Sequence, residues 1–388
     1  MRRAEAAAVR VCFRSGTGCR TAGAIVAGRR TVPDPRPYSR RRRGDAACAP
    51  VRTALSMLPV AVVLWVLLAA VSAHGGESAA PTPEAFAALL GDARPTVRVE
   101  PLTAYPDEKT LPKFLFERPV ERYVVEYANG YAFSSLLIRN TGKNLLIYNH
   151  GHDPTFKEGF SREFLKRYLR SGGSLLLTWM PLRDPRFPPD APPLRVRFRN
   201  TEQRVPVRTT RHEVLTLFDT EGYHFFRYFL DPILLPLGRV SGDYESISYV
   251  GLSGGGWTGL ILSALNPPVR RYVLVAGFLP EEGRASKADL GDVEQITPSV
   301  FRRFPYRFFL EQLDAKGPAA SWIIYNTEDD CCYRAVEHEA LIRRMERTYG
   351  NIHFEIRDST THSYSPDRIL ELVAPGAPGY SWWERVFE

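Results

Sequence analysis

The sequence predicts an α/β protein with a mostly parallel sheet, helices on both faces and an antiparallel hairpin at its start. From residue 144 onwards, short apolar runs alternate with helical stretches, as in parallel strands joined by crossover helices. Before them, two β-rich runs flank Asn129-Gly130, a strong hairpin signal. The 388 residues are 44% hydrophobic and 24% charged, which suits a buried core and excludes disordered, collagen-like and coiled-coil classes.

The predicted elements follow the chain in alternating order. The hairpin comprises residues 121–127 and 131–138. Strands are then expected at 144–148, 174–179, 246–252, 271–275, 321–325 and 353–356, and helices at 160–170, 214–235, 255–265, 299–313 and 335–349. Two stretches interrupt the alternation: 183–211 is rich in proline and arginine, and 276–298 is rich in acidic residues. Each predicts a surface excursion or a lid over the strand ends.

The positive charge of the chain is concentrated at its N-terminus. The net charge is +8, but residues 1–73 contain thirteen arginines and only three acidic residues. The remaining 315 residues carry 38 basic and 40 acidic side chains, so the body of the protein is nearly neutral. A nucleic-acid partner is therefore not expected. Residues 1–50, which show no periodicity, are expected to be disordered or a misannotated extension.

An uncharged segment at 53–73 predicts a leader. Its apolar run ends in a small-x-small pattern at 71–73, typical of signal-peptidase sites. We expect a signal peptide at 51–73, a mature α/β domain at 74–388 with its core from about 120 to 375, and a secreted or periplasmic location. The alternative is an uncleaved membrane anchor, because 21 uncharged residues suffice to span a bilayer of about 30 Å.

The motif that indicates chemistry most clearly is Gly251-Leu252-Ser253-Gly254-Gly255. This G-x-S-x-G sequence lies between a β-rich run and a helical run, the context that a nucleophilic serine on a strand-to-helix turn requires. The following helix N-terminus favours negative charge. A glycine-rich loop without catalytic function is the alternative interpretation.

A nucleophilic serine needs a base and a carboxylate, and both follow later strands in the expected order. Asp329 comes after the strand at 321–325, and His362 after the strand at 353–356. Asp329 is preferred over Asp330 because it lies closer to the strand end. Glu328 and Asp358 are weaker candidates for the acid, and an ordinary surface-loop histidine is the alternative for His362.

An oxyanion needs two N–H donors, one from the residue after the nucleophile and one from a loop after an earlier strand. The main-chain N–H groups of Gly254 and His152 are the expected donors. In the alternative, His150 and His152 only turn the chain, or bind a metal with Asp153. We expect no metal and no organic cofactor, since no zinc-type spacing, P-loop or dinucleotide fingerprint occurs.

Two further features lie near the predicted site. His212 follows the arginine-rich stretch and is a candidate to face the site. Of the five cysteines, only Cys331 and Cys332 lie beyond the leader, which is no disulfide framework. A vicinal disulfide that stiffens the acid loop and two packed thiols are both left open.

The order Ser253, Asp329, His362, together with the elbow GLSGGGW and the loop NHGH, resembles the α/β-hydrolase superfamily over residues 120–375. The segments TWMPL, GLSGGGWTG, VAGFLP and NTEDDCC are similar to those of uncharacterised exported bacterial hydrolases of the acetylxylan-esterase and dienelactone-hydrolase type. The resemblance implies an α/β-hydrolase fold and serine hydrolysis of an acyl bond by Ser253, Asp329 and His362, with His152 at the oxyanion. The loop departs from the glycine-rich HGGG form.

The sequence thus predicts an exported serine hydrolase that cleaves a carboxylic ester of a small molecule. An exported serine peptidase or amidase is the second hypothesis, and an inactive scaffold used for binding is the third. A membrane is a partner only if the leader is uncleaved, and the oligomeric state is left open.

Overall fold

A nine-stranded sheet forms the centre of the protein in the computed structural model. The structure describes residues 80–92, 94–102, 111–152, 159–183, 194–197, 203–207, 209–218, 222–284, 286, 289–318 and 320–374. All of them belong to one unit of the chain, Gly75–Glu388. The expected extension at 1–50 and the expected leader at 51–73 lie outside the described residues.

The elements alternate as the sequence predicts. The strands are β1 Thr96–Pro101, β2 Val120–Glu126, β3 Ala132–Ile138, β4 Asn144–Asn149, β5 Ser174–Thr178, β6 Leu194–Arg197, β7 Arg204–Val207, β8 Ser246–Leu252, β9 Arg271–Val275, β10 Ser321–Asn326 and β11 Ile352–Arg357. The α-helices are α1 Pro83–Leu90, α2 Gly159–Arg170, α3 Arg227–Val240, α4 Gly254–Ser263, α5 Val293–Ile296, α6 Pro298–Phe301, α7 Tyr306–Asp314, α8 Ala335–Thr348 and α9 Pro366–Val373.

The strand order of the large sheet is β1-β2-β3-β5-β4-β8-β9-β10-β11. The pairs β1–β2, β2–β3 and β3–β5 are antiparallel, and every pair from β5 to β11 is parallel. This confirms the predicted fold class, a mostly parallel sheet with an antiparallel N-terminal hairpin. Because β8, β10 and β11 run in one direction, the loops that follow them emerge at the same sheet edge.

The central strands are apolar because both of their faces are covered. Leu145, Leu146, Ile147 and Tyr148 of β4 are all fully buried. Helix α4 packs on β8 and β9, whereas α3 packs on β2 and β3. The sheet is therefore a rigid base from which the loops at its carboxyl edge project.

The structure differs from the sequence prediction at several elements. Strand β1 and helix α1 lie in the proline-rich lead, where no element was predicted. The helix predicted at 299–313 is two helices, because Pro305 precedes α7 and cannot donate a main-chain hydrogen bond. The helix predicted at 214–235 is a 3₁₀ helix, His212–Leu217, followed by α3. The described parts of the arginine-rich stretch include β6 and β7, which pair antiparallel and form their own two-stranded sheet.

None of the helices in the described residues is both long enough and apolar enough to cross a membrane.

Candidate active site

Ser253 occupies the turn between β8 and α4 in a strained backbone conformation, with φ 57° and ψ −130°. A positive φ is uncommon for a non-glycine residue and stores backbone strain. The Ser253 N–H donates to the Val275 carbonyl at 2.9 Å, which ties the turn to the end of β9. Its side chain does not cap α4 and is only partly buried. The hydroxyl is thus held at the predicted strand-to-helix turn.

Glycine is required beside this turn because neighbouring main chains approach closely. A Cβ atom on Gly255 would overlap the main-chain oxygen of Asn149, the last residue of β4. This contact brings the end of β4 against the first turn of α4 and explains the second glycine of the G-x-S-x-G motif.

Asp329 lies in the loop after β10 with both carboxylate oxygens hydrogen-bonded. Oδ1 accepts from the N–H groups of Cys331 at 2.9 Å and Cys332 at 3.1 Å. Oδ2 accepts from Nδ2 of Asn326 at 2.9 Å. The residue is 2% exposed. Its orientation is therefore set by the surrounding loop rather than by solvent.

His362, in the loop after β11, meets this carboxylate directly. Its Nδ1 lies 2.9 Å from Oδ1 and 3.0 Å from Oδ2 of Asp329. Its main-chain N–H donates to Oδ1 of Asp330 at 2.7 Å. The two adjacent acids thus hold different parts of one residue: Asp329 the ring and Asp330 the backbone. Glu328 instead pairs with Arg334, and Asp358 lies beside Thr327.

The contact changes the pKa values of both partners. Burial alone would raise the pKa of Asp329, but the hydrogen bonds from His362, Asn326 and Cys331 outweigh it and lower that pKa below its usual value. Burial opposes the charged form of His362, yet Asp329 raises the pKa of the imidazole above its usual value. The pair therefore favours a carboxylate beside a ring that takes up a proton readily.

Ser253 and His362 are placed at the same edge of the sheet by parallel strands β8 and β11. The free ring nitrogen of His362, Nε2, is buried and makes no hydrogen bond to any described residue, Ser253 included. The structure thus brings Asp329 and His362 into contact and leaves one buried nitrogen available at the edge where Ser253 lies.

The loop after β4 lies against the serine turn. Gly151 has φ 83°, and a Cβ on it would lie 3.1 Å from Cβ of Ser253 and 3.2 Å from the main-chain nitrogen of Gly254. The Gly151 N–H donates to Oδ1 of Asn149 at 3.0 Å, which closes the loop. A Cβ on Gly254 would lie 2.9 Å from Cε1 of His152, so the His152 ring covers the start of α4.

The two histidines of this loop have different surroundings. The ring of His150 stacks on Phe160 with centroids 6.1 Å apart. The ring of His152 lies 4.9 Å from that of His212, and its Nε2 is 2.8 Å from Oδ2 of Asp292. That contact holds the pKa of Asp292 below its usual value. Asp153 lies outside the described residues.

Sequence analysis placed His212 near the site but missed Asp292 and Glu294, which the structure brings beside His152 and His212. No spacing signals this group, since its members come from three separate segments. The only sequence signal is that Asp292 and Glu294 lie in the stretch 276–298, which interrupts the strand–helix alternation, and that His212 directly follows the stretch 183–211.

No family model and no curated protein matches the chain. Similar solved structures include an acetyl xylan esterase from Paenibacillus sp. R4, at 14% identity over 78% of this chain and 96% of that chain, with a TM-score of 0.44. Acetyl xylan esterase 1 from Thermoanaerobacterium sp. JW/SL YS485 is 15% identical over 80% of this chain and 94% of that chain, with a TM-score of 0.42. An S-formylglutathione hydrolase from Agrobacterium tumefaciens is 12% identical over 72% and 99%, with a TM-score of 0.42.

Proposed function

We propose that the protein is a serine hydrolase that cleaves carboxylic esters of small molecules through an acyl-enzyme intermediate. One observation carries the proposal: a serine in a strained strand-to-helix turn lies at the same sheet edge as a histidine whose Nδ1 contacts a buried carboxylate. Nucleophile, base and orienting acid are the parts that this chemistry needs.

In the first step, Nε2 of His362 takes the proton of the Ser253 hydroxyl while Oγ attacks the ester carbonyl. Asp329 accepts a hydrogen bond from Nδ1–H, which leaves the lone pair on Nε2 and stabilises the imidazolium that forms. Nε2 of His362 makes no hydrogen bond to Ser253 in the structure, and catalytic hydrogen bonds of this kind often tighten only when substrate binds.

The carbonyl oxygen becomes negatively charged as the tetrahedral intermediate forms. The N–H of Gly254, the first residue of α4, lies at a helix N-terminus, where partial positive charge accumulates. The N–H of His152 is the second proposed donor, since its loop packs on Ser253 and Gly254. The imidazolium then protonates the leaving alcohol, and water repeats the sequence to release the acid.

The test is hydrolysis of short-chain p-nitrophenyl esters by the full chain, wild type against Ser253→Ala and His362→Ala. Either variant should lose about 10⁶-fold in kcat, because the base and nucleophile act as one unit. Ser171→Ala, in an exposed serine at the end of α2, is the matched control and should keep wild-type turnover. Circular dichroism checks that each variant is folded.

The same assay separates the other functions. Faster cleavage of matched anilides than of esters would replace the esterase by an amidase or peptidase. A wild-type protein that is inert to esters and leaves Ser253 unlabelled by a serine-directed phosphonate would be a binding scaffold.

Export is a second part of the proposal, supported by the uncharged run at 53–73 and the small residues at its end. N-terminal sequencing of protein recovered outside the cytoplasm should begin near His74. Protein that retains residues 1–73 in a membrane fraction would instead support the anchor.

A further inference from the structure

Four side chains converge beside the proposed oxyanion loop: His152, His212, Asp292 and Glu294. One ligand atom from each lies within 4.8 Å of the others. His152 comes from the loop after β4, His212 begins the 3₁₀ helix His212–Leu217, and Asp292 and Glu294 flank the start of α5. No step of the proposed ester hydrolysis uses these four side chains.

Glu294 is the decisive residue of the group. It is 0% exposed, and neither of its carboxylate oxygens accepts a hydrogen bond from a described residue. A buried carboxylate without hydrogen bonds is costly unless a cation balances it. It contacts nitrogens of the two histidines: Oε2 lies 3.1 Å from Nδ1 of His212, and Oε1 lies 3.9 Å from Nε2 of His152.

The orientation of His212 shows which nitrogen faces Glu294 with its lone pair. Nε2 of His212 lies 3.0 Å from the carbonyl oxygen of Pro181. A carbonyl only accepts, so Nε2 carries the hydrogen, and in the neutral ring Nδ1 is left with a lone pair. Nδ1 is buried and makes no hydrogen bond to a described residue, although Glu294 is 3.1 Å away. Histidines that bind a metal through one nitrogen typically donate the other ring N–H to a backbone carbonyl or a carboxylate, as Nε2 of His212 does to Pro181.

From this arrangement we infer that His152, His212, Asp292 and Glu294 bind a divalent transition-metal ion, with zinc the best fit. Two imidazoles and two carboxylates are donors that Zn²⁺ accepts in a tetrahedral site. Bonds of about 2.1 Å separate tetrahedral ligands by about 3.4 Å. The described contacts of 2.8, 3.1 and 3.9 Å bracket that separation. The two carboxylate charges equal the charge of the ion.

The ion would link the proposed oxyanion loop to the 3₁₀ helix His212–Leu217 and to the stretch 276–298. It joins His152, whose ring covers Gly254, to His212 and α5. His152 is therefore a positioning residue through this site. Metal binding does not depend on ester hydrolysis, so either proposal can fail without the other.

The test measures zinc binding by the full chain. Protein stripped with a chelator is dialysed against Zn²⁺, and bound metal is measured by inductively coupled plasma mass spectrometry. We expect about one zinc ion per chain and a rise in Tm of about 5 °C at saturating zinc. Mg²⁺, which prefers six oxygen ligands, should produce neither effect. Glu294→Gln should weaken zinc binding by about 100-fold or more, since it removes a ligand.

Two controls separate this group from the other groups of potential ligands in the described residues. The double variant Cys331→Ser, Cys332→Ser removes the thiols beside Asp329 and His362, and His338→Gln removes a histidine that contacts Asp289 at 3.1 Å. Both should bind zinc as wild type does. With Co²⁺ in place of zinc, no thiolate-to-cobalt charge-transfer band is expected.

Three results would overturn the inference: no zinc bound by wild type, equal binding by wild type and Glu294→Gln, or binding that is lost with the cysteines. If Glu294→Gln does not fold, His152→Gln serves instead, because that side chain is 27% exposed and tolerates substitution better. It should show the same loss of zinc, and retained wild-type affinity would equally reject the site.

Discussion

The carboxyl edge of the sheet carries two groups of histidines and carboxylates that differ in how their buried acid is satisfied. Asp329 accepts hydrogen bonds from Asn326, Cys331 and Cys332 as well as contacting His362. Glu294 is equally buried and accepts none from a described residue. The two groups thus contain similar residue types, but only the carboxylate of the first group is hydrogen-bonded to its surroundings.

The difference teaches what each group is suited to do. A carboxylate whose lone pairs are already occupied can orient one imidazole and hold it for proton transfer. A buried carboxylate that contacts imidazole nitrogens without hydrogen bonds is suited to share a metal ion with them, as the zinc inference proposes. Substitutions in the first group are therefore expected to change the rate of ester hydrolysis, and substitutions in the second group to change the bound metal.

The largest effect that separates the groups is expected from Asp329→Asn. Loss of the carboxylate removes the acceptor that orients Nδ1–H of His362, so kcat for ester hydrolysis should fall about 10⁴-fold. Zinc content should stay at the wild-type value, because Asp329 belongs to the other group. A parallel loss of zinc would show that the two groups are not independent.

The same variant has a defined pH signature. Asp329 raises the pKa of His362, and the neutral ring is the active base, so wild-type kcat/KM should fall with decreasing pH at a midpoint above the usual histidine value of 6.5. Asp329→Asn removes the negative charge that raises the pKa of His362, so the fall of kcat/KM with decreasing pH should occur at lower pH. An unchanged midpoint would show that a group other than His362 controls the loss of activity at low pH.

Gly151 lies between the serine turn and His152, and Gly151→Ala should displace the loop that carries His152. Its φ of 83° is unfavourable for alanine, and the new Cβ would lie 2.5 Å from the main-chain oxygen of Leu252. Displacement of the loop by about 1 Å should lower kcat about 10²-fold. Gly172→Ala is the matched control: φ there is 95°, but nothing lies within 4 Å of the new Cβ. Equal losses in both variants would attribute the effect to backbone strain alone.

Asp330→Ala tests whether the main chain of His362 needs its own acceptor. The variant removes the 2.7 Å hydrogen bond from the His362 N–H but leaves the contact with Asp329. A charge-assisted hydrogen bond contributes about 1.5–3 kcal/mol, and we expect about a 10-fold loss in kcat with little change in the midpoint of the fall of kcat/KM with decreasing pH. A loss as large as that of Asp329→Asn, with a shifted midpoint, would exchange the roles of the two acids.

The smallest effect concerns the thiols of the acid loop, which are free in the structure. A hydrogen bond from Cys332 lowers the pKa of Cys331 to about 7, and Cys331 is exposed. Iodoacetamide at pH 7 should alkylate Cys331 at least about 5-fold faster than Cys332, as measured by peptide mass spectrometry, because the thiolate reacts. Resistance of both residues until a reductant is added would demonstrate a vicinal disulfide.

Much of the fold is predictable because the pattern of apolar residues determines it locally. Strands β8 and β9 have the predicted bounds, since each is a short apolar run with clear turn residues around it. Strand β1 was missed because it is a short, mostly exposed edge strand within a proline-containing lead. The prediction of a single helix at 299–313 was wrong because it did not allow for Pro305, which separates the two helices.

The residues of the candidate site also divide into those that the sequence indicates and those that it does not. Ser253, Asp329 and His362 could be proposed because each follows a strand, and parallel strands bring their ends together. The pairing of Asp330 with the His362 backbone could not be foreseen, since it depends on the path of two loops. Asp292 and Glu294 have no such signal, because long-range packing of irregular segments places them beside His152.

The left-handed backbone at position 253 restricts which mutations the site can survive. Threonine carries the same hydroxyl as serine and is a mild replacement at most positions, but its branched Cβ fits poorly at φ 57°. Cysteine is unbranched and adds no such crowding. In evolution, therefore, Ser253→Cys, which exchanges oxygen for sulfur, is conformationally easier at this turn than Ser253→Thr, which adds one methyl group.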